Sequence, residues 1–92
     1  MTEAEKLIVL KQDLQRINTA NDAYLTLLLK QSAAAIQSEG IRLIENDVEC
    51  DMAVIQYAAY LFRKRASPDT GMPRFLRWQL NNLLFSQKGK EL

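Results

Sequence analysis

Apolar side chains along this chain return at intervals of three and four residues and almost never alternate. Leu7, Leu10, Leu14 and Ile17 step 3-4-3, lining one stripe of a helix from about Glu3 to Ile17. After an interruption at Asn18 to Asn21, Leu25, Leu28, Leu29, Ser32 and Ile36 fall on one side of a second helix. Its Ala33, Ala34 and Ala35 favour helix and permit close helix contact, and Gly40 suits the position just past its end. Met52, Ile55, Ala59 and Phe62 repeat the 3-4-3 step in a third helix opening at about Asp51. Leu76, Leu80, Leu83 and Leu84 gather on one side of a fourth, which runs from Pro73 to about Gln87 and frays at Gly89. No segment sustains the alternation of a strand. The expected fold is all-α: a small bundle of about four helices with short loops, forming a single domain over residues 1–92.

Local signals place the breaks. Thr19 and Asp22 stand three apart, as in a capping box with Asp replacing the usual Glu, and predict the second helix start. Pro68 prevents simple continuation of the third helix, whose basic end Arg63-Lys64-Arg65 complements the helix dipole. Pro73 lacks an N–H that the first turn does not need, so it can open the fourth helix. The segment IRLIENDVE at 41–49 is compatible with a loop, a short extended piece or a brief helical turn. The leucines of the fourth helix should pack on the Ile55–Ala59–Phe62 side of the third helix or on the second. Tyr57 and Tyr60 project from other sides of the third helix.

Charge is divided along the chain. Twelve Lys and Arg nearly balance eleven Asp and Glu, giving a formal net charge of +1. Residues 1 to 51, however, hold five basic and nine acidic groups, whereas 52 to 92 hold seven basic and two acidic. Either these charges simply keep the surface solvated, or the dipole they form favours head-to-side assembly or steers a charged partner.

The chemistry inventory is nearly empty, and an enzyme is not expected. There is no histidine, which removes the commonest near-neutral acid–base group and a frequent metal ligand. Cys50 is the only cysteine, so no internal disulfide can form, a reducing compartment is expected, and its side chain should be small and buried or half-buried. Asp47, Glu49 and Asp51 alternate like the start of a calcium loop. Met52 stands where that loop needs Gly, and Ala58 where it needs Glu, so a solvated acidic turn or an acidic patch facing another subunit fits better. Gly40, Gly71 and Gly89 are too scattered for a phosphate-cradling loop. No cofactor or metal is expected. The N-terminus shows no cleavage signature, and no segment approaches the about 20 apolar residues of a membrane span. A soluble intracellular protein is expected.

The fourth helix carries a second surface: Arg74, Arg77, Trp78, Asn81, Phe85 and Lys88. Three readings fit it. Its rings complete the edge of the core under the arginine stems, or form a subunit or partner interface, or stack on single-stranded nucleic acid. Together with Arg63, Lys64 and Arg65 these are the candidate interface residues. Against nucleic acid, there is no helix-turn-helix spacing, zinc finger or RNA-binding sheet signature.

The segments NDAYLTLLLKQSAAAIQSEGI, VIQYAAYLFRKR and MPRFLRWQLNNLLFSQK resemble the head–tail connector (adaptor) proteins of tailed phages and prophages of Gram-positive bacteria. The likeness spans about residues 7 to 88. Its most distinctive part is the order YAAYLFRKR, a short loop, MPR and then LNNLLFSQK. It implies a small helical protein assembling as a ring, usually of twelve subunits, at the virion head–tail joint after passage through the host cytoplasm. Such a ring sits below the portal protein, extends the channel through which DNA passes without sequence-specific binding, and docks a stopper or tail-completion protein. The C-terminal region of relatives reaches toward the portal, which makes Arg74, Arg77, Trp78, Asn81, Phe85 and Lys88 candidate portal or neighbour contacts. With four residues after Lys88, no long portal-inserting arm is expected, and any channel-facing loop at 41–50 must be short. In the ring, Glu39, Glu45, Asp47 and Glu49 would face Arg63–Arg65 or Arg74 of the next subunit. Two alternatives stand beside the connector: a small nucleic-acid-binding helical protein using its arginine patches, and a regulatory module dimerising through the last helix.

Overall fold

The described residues form four α-helices joined by turns and loops: α1 (Glu3–Asp13), α2 (Asp22–Ser38), α3 (Val48–Ala66) and α4 (Arg74–Glu91). The computed structural model describes residues 1–15 and 18–91, and no strand occurs among them. The all-α expectation is met.

α1 opens with a capping box that sequence reading missed. The Glu5 N–H donates to Thr2 Oγ1 at 3.1 Å, and the Thr2 N–H donates to the Glu5 carboxylate at 2.9 Å. These bonds also hold the Glu5 carboxyl below its ordinary pKa. The helix stops at Asp13, earlier than the apolar step suggests, because Gln15 adopts a left-handed backbone with φ of 58°. Leu10 is buried and Leu7 and Leu14 pack beside it, while Ile17 lies outside the described residues.

The Thr19–Asp22 capping box does not form. Asn21 occupies the cap position without a side-chain bond, and the Thr19 carbonyl, not its hydroxyl, accepts from the Asp22 N–H at 3.2 Å. The Asp22 carboxylate is instead drawn to Lys11 Nζ of α1, 2.9 Å away. Leu25, Leu28, Leu29, Ser32 and Ile36 are the buried residues of α2, as their spacing predicts. Gly40 ends the helix with φ of +95°, a conformation that strains any side chain carrying a Cβ. The following segment is a loop pinned by buried Ile41, with a turn in which the Asp47 N–H reaches the Ile44 carbonyl at 3.2 Å.

α3 begins at Val48, three residues before the expected start, because extended Asp47 already supplies the first carbonyl to the Asp51 N–H at 2.9 Å. Its buried set is wider than one stripe: Cys50, Asp51, Ala53, Val54, Ile55, Ala58 and Ala59. The reason is position, since α1, α2 and α4 all pack on this helix. Met52 and Phe62, expected inside the stripe, are only partly buried at its margin, and the Phe62 ring meets Tyr24 of α2 at 6.4 Å. Asp51 does not join a solvated acidic turn. It is buried, 2.9 Å from the Met1 ammonium and 3.8 Å from Lys6 Nζ, which supply the opposite charges its burial requires. Cys50 is buried, its thiol 3.7 Å from the Arg42 carbonyl, and burial pushes its pKa up.

Pro73 stands just before α4, where its carbonyl accepts from the N–H groups of Leu76 and Arg77 at 3.1 and 3.2 Å. The helix does not fray at Gly89 but continues to Glu91. Its last turns are tied down by buried Gln87, whose amide accepts from the Arg42 N–H and donates to the Arg42 carbonyl, both at 2.7 Å. Leu76, Leu80 and Leu83 enter the core, and Leu84 is half-buried against Gly40. The molecule is flat, 46 × 31 × 18 Å along its principal axes, with α3 running through its middle.

Candidate functional site

At 3.6 residues per turn, Leu76, Leu80, Leu83 and Gln87 share one side of α4 and anchor it. Trp78 and Phe85 therefore point the opposite way. Trp78 is 69% exposed and Phe85 67%, far beyond what a ring at the margin of a core would show. The core-edge reading of these two rings is overturned. Arg74 and Lys88 are also exposed on this side, and Asn81 is half-buried between the rings.

Phe75 belongs to the same surface and escaped the sequence reading. It is 56% exposed, and with Trp78, Gln79, Asn82 and Glu49 it lines a shallow open groove of about 440 Å³. Its spacing of three from Trp78 and ten from Phe85 was the available signal. The three rings put on the order of 400 Å² of aromatic surface into water, about half of what one partner contributes to a stable protein interface. The largest apolar patch of a typical monomeric protein is about 300–600 Å² and often functional, and the exposed ring surface of α4 falls in that range.

Arg77 is the exception among the expected α4 contacts. Its guanidinium donates to both carboxylate oxygens of Glu39, at 2.8 and 2.9 Å, and lies 3.5 Å from Met72 Sδ. That pair holds the Glu39 carboxyl below its ordinary range and raises the Arg77 pKa. Arg77 thus joins α4 to the end of α2, while its side chain stays 41% exposed.

The basic end of α3 is also engaged within the chain. Arg63 lies 3.3 Å from the Asp13 carboxylate, and Lys64 donates to the Tyr60 hydroxyl at 3.3 Å. Arg65 stacks 4.7 Å from the centre of the Tyr24 ring. Of these cations, Arg63 adjoins the α4 surface, bordering Phe75 across a small cleft, whereas Arg65 turns toward α2. Tyr57 and Tyr60 are half-buried and pack edge to face at 5.9 Å, and burial raises the Tyr57 pKa.

Comparison with family models, curated proteins and solved structures yields no match. The site must therefore be judged on its own chemistry. Among the described residues no three of His, Cys, Asp and Glu gather as a cation site, and no helix is long and apolar enough to cross a membrane. What the arrangement offers is an aromatic and cationic helix face, held rigidly from behind by leucines and by two polar clamps at Glu39 and Arg42. Such a face is suited to burying rings against another macromolecule.

Proposed function

We propose that the chain is a ring-forming structural adaptor of the phage head–tail connector kind, working through contacts on the outer face of α4. In this reading the ring, of about twelve copies in the resembled family, sits at the virion head–tail joint between portal and stopper or tail-completion protein. DNA passes through its channel without sequence-specific binding. The supporting observation is the outward projection of Phe75, Trp78 and Phe85 from a helix whose other side is already filled. The order of motifs from Tyr57 to Lys88, which resembles the connectors, says which kind of partner to expect.

Energetics favour repeated contacts. About 400 Å² of ring surface corresponds to roughly 10 kcal/mol of gross burial, within the ~4–15 kcal/mol lost when two bodies associate. One such contact is weak by itself, whereas closure into a ring gives every copy two. The nucleic-acid alternative draws less support, because Arg63, Arg65 and Arg77 already serve Asp13, Tyr24 and Glu39.

Imaging and native mass measurement of the chain with and without a portal ring test the reading. A closed ring docked on the portal is expected. A chain that ignores the portal yet shifts DNA with a steep salt dependence would belong to the alternative class.

A further inference from the structure

Two unlike surfaces lie on opposite sides of α3. One is the outer face of α4. The other is a groove of about 220 Å³ between α1 and α2, floored by Leu29, Ala33 and Val54 and edged by Glu3, Lys30 and Ala34. Val54 fixes its side of the molecule. Gln56, two residues on and so about 200° further round α3, borders Phe75 on the α4 side. The groove is smaller than the roughly 300–1,000 Å³ of small-molecule sites, so it suits one inserted side chain better than a free ligand.

Lys6 of its lining is committed to Asp51, so the charges left on the rim are exposed Lys30 and Glu3, which carry no ion pair among the described residues. The facing candidate offers an indole beside Glu49, with Arg74 one turn before it and Lys88 almost three turns beyond. We propose that Trp78 of one copy inserts into the α1–α2 groove of the next, beneath the Lys30 ammonium, with the cations of α4 turned toward Glu3. The inference rests on the ring-forming reading above and names the surfaces that meet. A contact between unlike surfaces on opposite sides of a flat subunit leaves each copy able to engage two neighbours, which closure of a ring requires. Pairing two α4 faces would instead oppose Arg74 and Lys88 to their own counterparts, a like-charge clash.

Two variants separate the surfaces. Trp78→Ala removes the inserting ring and leaves the groove, while Ala34→Arg obstructs the groove and leaves the ring. Both positions are exposed, so unchanged melting curves are expected for each. By sedimentation, each variant alone should lose self-association by about thirtyfold or more. Their mixture, in which each pair keeps a single contact, should form nothing larger than weak one-to-one pairs. An Ala34→Arg chain that assembles as the parent does overturns the groove contact, and leaves the ring reading standing if portal-bound rings still form. A parent chain that forms neither oligomers nor portal-bound rings overturns both. Lys30→Glu supplies a second groove variant, and wild-type assembly in that chain would also contradict the insertion.

Discussion

The guanidinium of Arg77 holds both oxygens of the Glu39 carboxylate, at 2.8 and 2.9 Å, fastening the first turn of α4 to the last residue of α2's cap. Because Arg77 keeps the Glu39 carboxyl protonating below its ordinary value of 4.5, the contribution is fully present above that value. It is lost as pH falls through the lowered one. Both side chains are partly solvated, so the pair should contribute no more than about 0.5–1 kcal/mol at neutral pH. Urea unfolding should therefore show the stability difference between the parent and Glu39→Gln, present at pH 7, shrinking as pH falls below 4.5. Arg77→Lys should lose most of the same contribution, since an ammonium cannot reproduce the two-bond fork.

Gly40 sits beside this clamp with φ of +95°, and a Cβ there would meet Leu84 Cδ1 at an ordinary 3.6 Å. Space is thus not the obstacle; backbone strain is. Gly40→Ala should lower stability by about 1–2 kcal/mol, visible as a lower urea midpoint with unchanged slope.

The Gln87 amide is the other fastening, bonded in both directions to the main chain of Arg42 at 2.7 Å. Gln87→Leu keeps the bulk but removes both bonds, and should cost about 1–3 kcal/mol. Hydrogen exchange should then rise first in the loop at 41–47 and the last turns of α4, well before the α2–α3 pair.

On the inner side of α4, Leu80 is wholly buried, and Leu80→Ala should cost about 2–5 kcal/mol by opening a cavity in the core. Calorimetry on the isolated chain reads this loss directly, with no partner required.

Helix number and the inward residues of α2 and α4 were legible because each of these helices buries one stripe, and a stripe writes a simple period. α3 was less legible because three helices surround it, so small residues such as Ala53 and Ala58 are buried without marking a period. The exposed rings Trp78 and Phe85 could be located by projecting α4, yet their exposure depended on what else filled the core. The long-range polar fastenings were invisible: Arg77 finds Glu39 38 positions away, Gln87 finds Arg42 45 away, and Asp51 finds the Met1 ammonium 50 away. No local pattern encodes such pairings. The failed cap at Asn21 is a related case, since Asp22 answers to Lys11 on a neighbouring helix.

The central claim is that α4 holds the monomer with its leucines and the assembly with its rings. Native mass measurement of the parent and a Trp78→Ala, Phe85→Ala double variant, each with portal rings, examines it most directly. The double variant should melt within about 0.5 kcal/mol of the parent, as exposed substitutions do, yet stay monomeric where the parent forms portal-bound rings. Rings of undiminished stability in the double variant would contradict the account.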